Sequence, residues 1–430
     1  MERVTHNLRH KIDWLTVILY ALLVTLGWLN IFAAVYSPAT DPGAQFNIFS
    51  TSLNSGKQLI WIGGAAILIL IILITDVKVF YSFSYPVYGL VMVTLVGVLL
   101  FGREVAGSKS WFELGFARFQ PSELAKFATA LALARFLGDP TKKIQKISVM
   151  VPLLMIIGLP VALILLQKDT GSALVYTSFV LVFYREGLSG YIMLLGLFLL
   201  ALFIGTLVLQ EHYLYLVWAL AGIGAISFFL VDNKLMKRLA VIGVVCIGVA
   251  VVFSVDFFVK NVLKPHQQER IKILIDPDSD PRGVGWQVTQ SKIAIGSGGL
   301  LGKGFLEGTQ TKFDFVPDQS TDFIFCTIGE EHGWMGSLAL LGLFVALLTR
   351  LVTLAERQKT RYSRIYGYAV VAILFFHFVI NIGMTIGLFP VIGIPLPFFS
   401  YGGSSLWSFT VLLFVMIKLD TQRKQLIIRD

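Results

Sequence analysis

Charge is what this chain lacks most. Of its 430 residues, 14% are Asp, Glu, Lys or Arg, against roughly 25% in an average soluble domain, and that shortage excludes an ordinary water-facing surface. Cysteine is nearly missing as well. Cys246 lies inside an apolar run and Cys326 just after Asp322, spacings that fit neither a disulfide framework nor a metal or redox motif. What is present is 56% hydrophobic residues, gathered in repeated runs too long for buried core helices but matched to a bilayer. The chain therefore reads as one integral-membrane domain over residues 1–430, all-α and polytopic.

The net charge of +9 raises nucleic acid as a partner. The Lys and Arg residues, however, sit in short clusters between apolar runs, where the positive-inside bias puts them, so membrane lipid is expected and nucleic acid is not. Arg9 and Lys11 precede a first run that is too long for a signal-peptide core and has no small-residue cleavage site near its end, which predicts an uncleaved first span.

Twelve spans are expected, at about 14–36, 58–75, 85–102, 121–137, 149–167, 172–184, 189–209, 213–231, 239–258, 323–349, 365–389 and 404–419. A cytoplasmic N-terminus puts Lys142, Lys143, Lys146, Lys234, Lys237, Arg238, Arg357, Lys359, Arg361, Arg364, Arg423, Lys424 and Arg429 inside. An even number of spans returns the C-terminus to that side. Residues 259–322 then form a long extracytoplasmic loop. Trp286, Ile293, Ile295, Leu300, Phe305 and Phe315 within it predict an ordered loop folded back over the helices, because disordered segments are poor in such residues.

Several constellations could carry chemistry. Gly107–Gly115, with Trp111, leads into Gln120-Pro121-Ser122-Glu123 and Lys126. Pro121 and Glu123 suit a helix start, and Lys126 shares a face with Glu123; an ordinary capped helix is the plain reading. Lys126 nevertheless lies a turn inside an apolar segment, where an ionisable group marks a cavity or pathway by default. The run Gln167-Lys168-Asp169-Thr170-Gly171 reads as a plain hairpin. Asp276–Asp280 is interrupted by Pro277 and lacks the Glu of an EF-hand. The glycines from Gly296 to Gly308 do not end as a Walker loop does; with Lys292 and Lys303 among and beside them, their amides could approach a phosphate. Asp322, at the outer edge where the loop re-enters a helix, reads equally well as a helix cap or as a reactive carboxylate. Glycine and proline crowd residues 381–403, which implies broken backbone lining a polar cavity or, less eventfully, close helix packing.

Five stretches together resemble one family. They are Gln120-Pro-Ser-Glu123, Asp280-Pro-Arg-Gly-Val-Gly285, Gln290-Ser-Lys-Ile-Ala-Ile-Gly-Ser-Gly-Gly299, Thr321-Asp-Phe-Ile-Phe325 and Pro395-Leu-Pro-Phe-Phe-Ser-Tyr-Gly-Gly-Ser404. In order, and over nearly the whole chain, they resemble the shape, elongation, division and sporulation (SEDS) family. Gly302–Gln310 is similar to the elongation branch rather than the division branch. The resemblance implies a peptidoglycan glycosyltransferase of the bacterial cytoplasmic membrane that polymerises lipid II, the undecaprenyl-pyrophosphate disaccharide-pentapeptide. It implies a class B penicillin-binding transpeptidase as partner.

By motif, Asp322 matches the family's essential outer-loop aspartate, while Trp111, Glu123 and Lys126 match positions lining its central cavity. This chain departs from the pattern at Ser320, where many members have His. It also departs in span number: the family usually has ten, so an extra helical hairpin is expected within 189–258. The expected chemistry is inverting: Asp322 takes the acceptor hydroxyl proton while Lys126, Lys292 and Lys303 stabilise the leaving pyrophosphate. A divalent cation could assist, although no clear carboxylate set for it appears. A lipid II flippase would want the same cavity and broken helices, and a non-catalytic scaffold for the transpeptidase is a third alternative.

Overall fold

The computed structural model describes residues 12–36, 51, 53–105, 107–115, 117–209, 212–231, 235–261, 284–313 and 315–422. Lys234, the Asp276–Pro281 run and the basic tail residues Arg423, Lys424 and Arg429 lie outside them.

Every expected span falls on helix. The first are α1 (Trp14–Val35), α2 (Asn54–Ile74), a short α3 (Val77–Ser82) and α4 (Ser84–Phe101). Next come α5 (Pro121–Leu137), α6 (Ile147–Leu166), α7 (Thr170–Val175) and α8 (Phe179–Arg185). Then follow α9 (Gly190–Val208), α10 (Leu214–Leu230), α11 (Leu235–Asn261), α12 (Val284–Ser297) and α13 (Thr309–Lys312). The chain closes with α14 (Ile324–Glu356), α15 (Arg361–Thr385) and α16 (Gly403–Thr421). Among the described residues eight helices are long and apolar enough to cross a membrane, against the twelve spans expected. The segment at 172–184 is broken by a 3-10 turn at Tyr176–Ser178.

The structure adds one feature to the all-helical expectation. Between α4 and α5 the chain makes a three-stranded antiparallel meander, β1 (Arg103–Val105), β2 (Ser108–Leu114) and β3 (Ala117–Phe119). Gly107 and Gly115 sit at its two turns with φ of 80° and 68°, backbone that glycine adopts without steric cost.

The chain divides into two compact units. The first comprises residues 1–187, 290–386 and 391–430. Its centre is α5, buried on almost every face, with α4, α6, α15 and α16 against it. Ala125, Ala128, Ala130, Ala132 and Ala134 are all buried; such small residues let membrane helices approach closely. The second unit, residues 188–289 with 387–390, holds α9, α10 and α11 around Leu202, Leu220 and Val252. It covers the region where the extra hairpin was expected.

Among the described residues, the arginines of the basic clusters in the first unit are paired. Arg361 and Arg364 reach Glu186 at 2.9 and 3.1 Å, Arg185 meets Glu356 at 2.8 Å, and Arg357 bonds Asp420. Asp13, just ahead of α1, bonds Arg350. Burial alone would raise this carboxyl, but hydrogen bonds from Arg350 and Thr16 hold it down at about 2.

Residues 290–313 fold back as a strap on α14. That helix is broken at Gly333, whose φ of 62° and ψ of −155° are not helical. The strap fills the break: Trp334 N donates to Gly299 O at 3.0 Å and Met335 N to Leu300 O at 3.1 Å, while Lys303 N and Gly304 N donate to Glu330 O and Glu331 O. A methyl group on Gly298 would overlap the carbonyl oxygen of Gly329, and one on Gly302 that of Glu331. The glycines therefore serve backbone-to-backbone packing. The amides of Lys303 and Gly304 are spent inside the protein, which corrects the expectation that this stretch offers them to a phosphate.

Candidate active site

Ahead of α14 the chain makes a tight turn over 318–323, entered through Asp318 at φ 55°. The cap position of α14 is Phe323, with no side-chain capping bond. Asp322 is therefore not a helix cap. Its side chain is half-buried, and among the described residues its carboxylate accepts no hydrogen bond. Oδ2 lies toward Gly393, close enough that a Cβ there would stand 3.3 Å away.

The turn itself is held by its main chain. Tyr401 N donates to Ser320 O at 2.9 Å, Ser400 Oγ to Thr321 O at 2.6 Å and Asn381 Nδ2 to Asp322 O at 2.8 Å. Asn381 Nδ2 also donates to Ile394 O at 2.8 Å, and Leu396 N donates to Ser400 Oγ at 2.9 Å. One aspartate-bearing turn, one broken segment over 391–402 and α15 are thus tied at successive carbonyls. The crowding of glycine and proline there serves this: Gly393 takes φ 75° and Gly402 φ 157°.

Loss of water around Asp322 raises its carboxyl to about 7, reinforced by the negative charges of Asp318, Asp169 and Glu123. Asp322 is thus poised to exchange a proton near neutrality.

Lys126 stands in a different setting. Its amino group is wholly buried, 2.8 Å from Glu123 Oε1 and 2.9 Å from His377 Nε2, with the Phe409 ring 5.1 Å away. An ammonium donating to Nε2 leaves the imidazole proton on Nδ1, which donates to Pro395 O at 3.1 Å. The expected Glu123–Lys126 pair is therefore present, but closed to any ligand in this conformation. Asp169, read as part of a plain hairpin, does more: it caps α7 through Ser172 N and accepts from Gln120 Nε2 at 2.9 Å and Ser122 Oγ at 3.2 Å.

The remaining expected residues separate. Lys303 bonds Glu330 Oε1 and Thr309 Oγ1, each at 2.7 Å, and so anchors the strap. Lys292 is exposed on α12, with no partner among the described residues. Trp111 is half-buried on β2. Sequence reasoning did not single out His377, Asn381 or Ser400 as site residues. The signal was there for the first two: polar side chains four residues apart in an apolar span share a helix face and mark a polar interior.

Several long apolar helices, a backbone broken beside a re-entering helix and a half-buried carboxylate with no hydrogen-bond partner among the described residues define a multi-pass membrane protein with a candidate polar site. The family model FtsW/RodA/SpoVE, described as cell cycle protein, matches residues 13–219 and 185–425, and the chain belongs to that family. It is 35% identical over 354 residues to the peptidoglycan glycosyltransferase MrdB of Escherichia coli K12, covering 81% of this chain and 80% of that one. It is 31% identical over 430 residues to the peptidoglycan glycosyltransferase RodA of Treponema pallidum, covering 94% and 98%.

Among solved structures, a chain from work on polymerization and crosslinking by a peptidoglycan synthase complex matches with a TM-score of 0.70 at 29% identity, covering 96% of this chain and 99% of that one. The crystal structure of the rod shape determining protein RodA from Thermus thermophilus matches with a TM-score of 0.60 at 26% identity, covering 96% and 98%.

Proposed function

We propose that this chain is a peptidoglycan glycosyltransferase of cell elongation in which Asp322 is the general base. Its family, and relatives at 31–35% identity that are peptidoglycan glycosyltransferases, support the activity. The carboxylate that accepts no hydrogen bond among the described residues, on a turn clamped by its carbonyls, carries the assignment of the base. Lipid II is the substrate. The acceptor 4-hydroxyl attacks carbon 1 of the donor sugar, the bond to undecaprenyl pyrophosphate breaks, and the hydroxyl proton passes to Asp322; configuration at carbon 1 inverts. A pyrophosphate leaving group needs no protonation, so one base with nearby cations suffices.

Of the cations expected to help, Lys292 is the one exposed for a pyrophosphate. Trp111 offers its ring to the sugars, whereas Lys126, Glu123 and Lys303 act by holding the site's frame. Among the described residues no cluster of three or more His, Cys, Asp or Glu side chains could hold a metal ion. A divalent cation would take its ligands chiefly from the substrate's phosphates. The basic clusters between spans support a bacterial cytoplasmic membrane location with both termini inside. A penicillin-binding transpeptidase as partner is supported by the synthase complex whose chain this one resembles.

The test is polymerisation of purified lipid II in proteoliposomes by wild type and Asp322→Asn. Wild type should build glycan and the variant should not. Transport of lipid II without polymer would favour a flippase, and absence of both with normal cell shape would favour a scaffold.

A further inference from the structure

We propose that Asn381 and Ser400 are positioning residues for the transferase reaction: by pinning the carbonyls of Asp322 and Thr321 they hold the Asp322 carboxylate in its reactive place. The inference rests on Asp322 being the base. A carboxylate that accepts no hydrogen bond among the described residues has nothing at its own tip to fix it, so its position is set by the backbone that bears it. That backbone is fixed from outside. Asn381 Nδ2 spans Asp322 O and Ile394 O, both at 2.8 Å, so one amide locks the turn to the broken segment. Ser400 Oγ makes a second lock, donating to Thr321 O while accepting from Leu396 N.

Both side chains are buried. Because both partners of Asn381 are acceptors, its amide has only one workable orientation. His377, one turn earlier on α15, ties Pro395 in the same way, so α15 registers the broken segment at two levels. The assembly faces the negative groups Asp318, Asp169 and Glu123, and a loosened turn would admit water between them and Asp322.

The experiment measures kcat, KM and the pH–rate profile of full-length Ser400→Ala and Asn381→Leu in proteoliposomes with lipid II, beside wild type and Asp322→Asn. Misplacement by about 1 Å can cost on the order of a hundredfold. We expect kcat to fall about ten- to a hundredfold on that basis, with KM little changed and the acid limb of the profile moved to lower pH. Wild-type kcat and an unmoved limb in Ser400→Ala overturn the proposal, as does a loss matching only the fraction of misfolded protein, with the limb in place. Ser400→Ala removes a single oxygen, so it decides the matter if Asn381→Leu fails to fold. An active Asp322→Asn would instead sink the base assignment itself, and this inference with it.

Discussion

Two carboxylates of this protein lie in dry surroundings and are treated in opposite ways. Glu123 is sealed in, paired with Lys126, which is backed by His377; Asp322 is half-buried, faces like charges and has no hydrogen-bond partner among the described residues. Burying a charge is costly unless it is paired and hydrogen-bonded. The sealed pair offsets part of that cost, since Glu123 Oε1 is bonded to Lys126 while Oε2 has no hydrogen-bond partner among the described residues; the open carboxylate has no such cation beside it. On the proposed reading, the contrast separates the base from the groups that hold its frame, although both look like misplaced charge in an apolar sequence.

The strongest way to break the contrast is to remove the open charge. Asp322→Asn should lower polymerisation by at least about a hundredfold, the lower bound for losing a general base, while the protein still inserts and purifies normally. Removing one side of the sealed pair comes next. Lys126→Met leaves Glu123 buried and unpaired, which costs about 3–5 kcal/mol; thermal melting in detergent should show a large drop, and Glu123→Gln added to it should recover much of the loss.

Acidity sharpens the contrast further. With the Asp322 carboxyl raised to about 7, the base form grows as pH rises, so kcat should climb roughly tenfold per unit below that value and level off above it.

The same shift carries a sign for stability. A raised carboxyl means the folded state holds its proton more tightly than the unfolded one, so the cost is absent at low pH. It grows as pH rises past the ordinary carboxylate range and is complete above about 7. Asp322→Asn should therefore melt higher than wild type at pH 8 and about equally at pH 4. The smallest effect belongs to Lys292: Lys292→Ala should raise KM a few-fold with melting within about 0.5 kcal/mol of wild type, as for other exposed substitutions.

Much of this was legible in the chain. Spans announce themselves because a bilayer demands long apolar runs; eight of the twelve expected runs lie on helices long and apolar enough to cross, while those at 121–137, 172–184, 189–209 and 213–231 are shorter or broken. Asp322 was picked out by motif and by its place where a loop re-enters a helix. The meander at 103–119 was missed because alternation over so few residues is faint beside the apolar runs on either side. The fates of Lys126 and Lys303 were also hidden: depth marked Lys126 as functional, but only packing shows that Glu123 and His377 enclose it, and only the strap shows Glu330 waiting for Lys303. Clamps such as Asn381 and Ser400 act on main-chain carbonyls, which every residue has, so the identities of the residues they hold do not point to them; only the helix face that Asn381 shares with His377 gives a sign of one.

The seat of the strap in the broken α14 has a consequence for substitution. Where Gly298 and Gly302 lie against bare peptide, no side chain mediates the fit, so room for even one added carbon has to come from moving main chain. An alanine at either position would have to lift the strap off its seat.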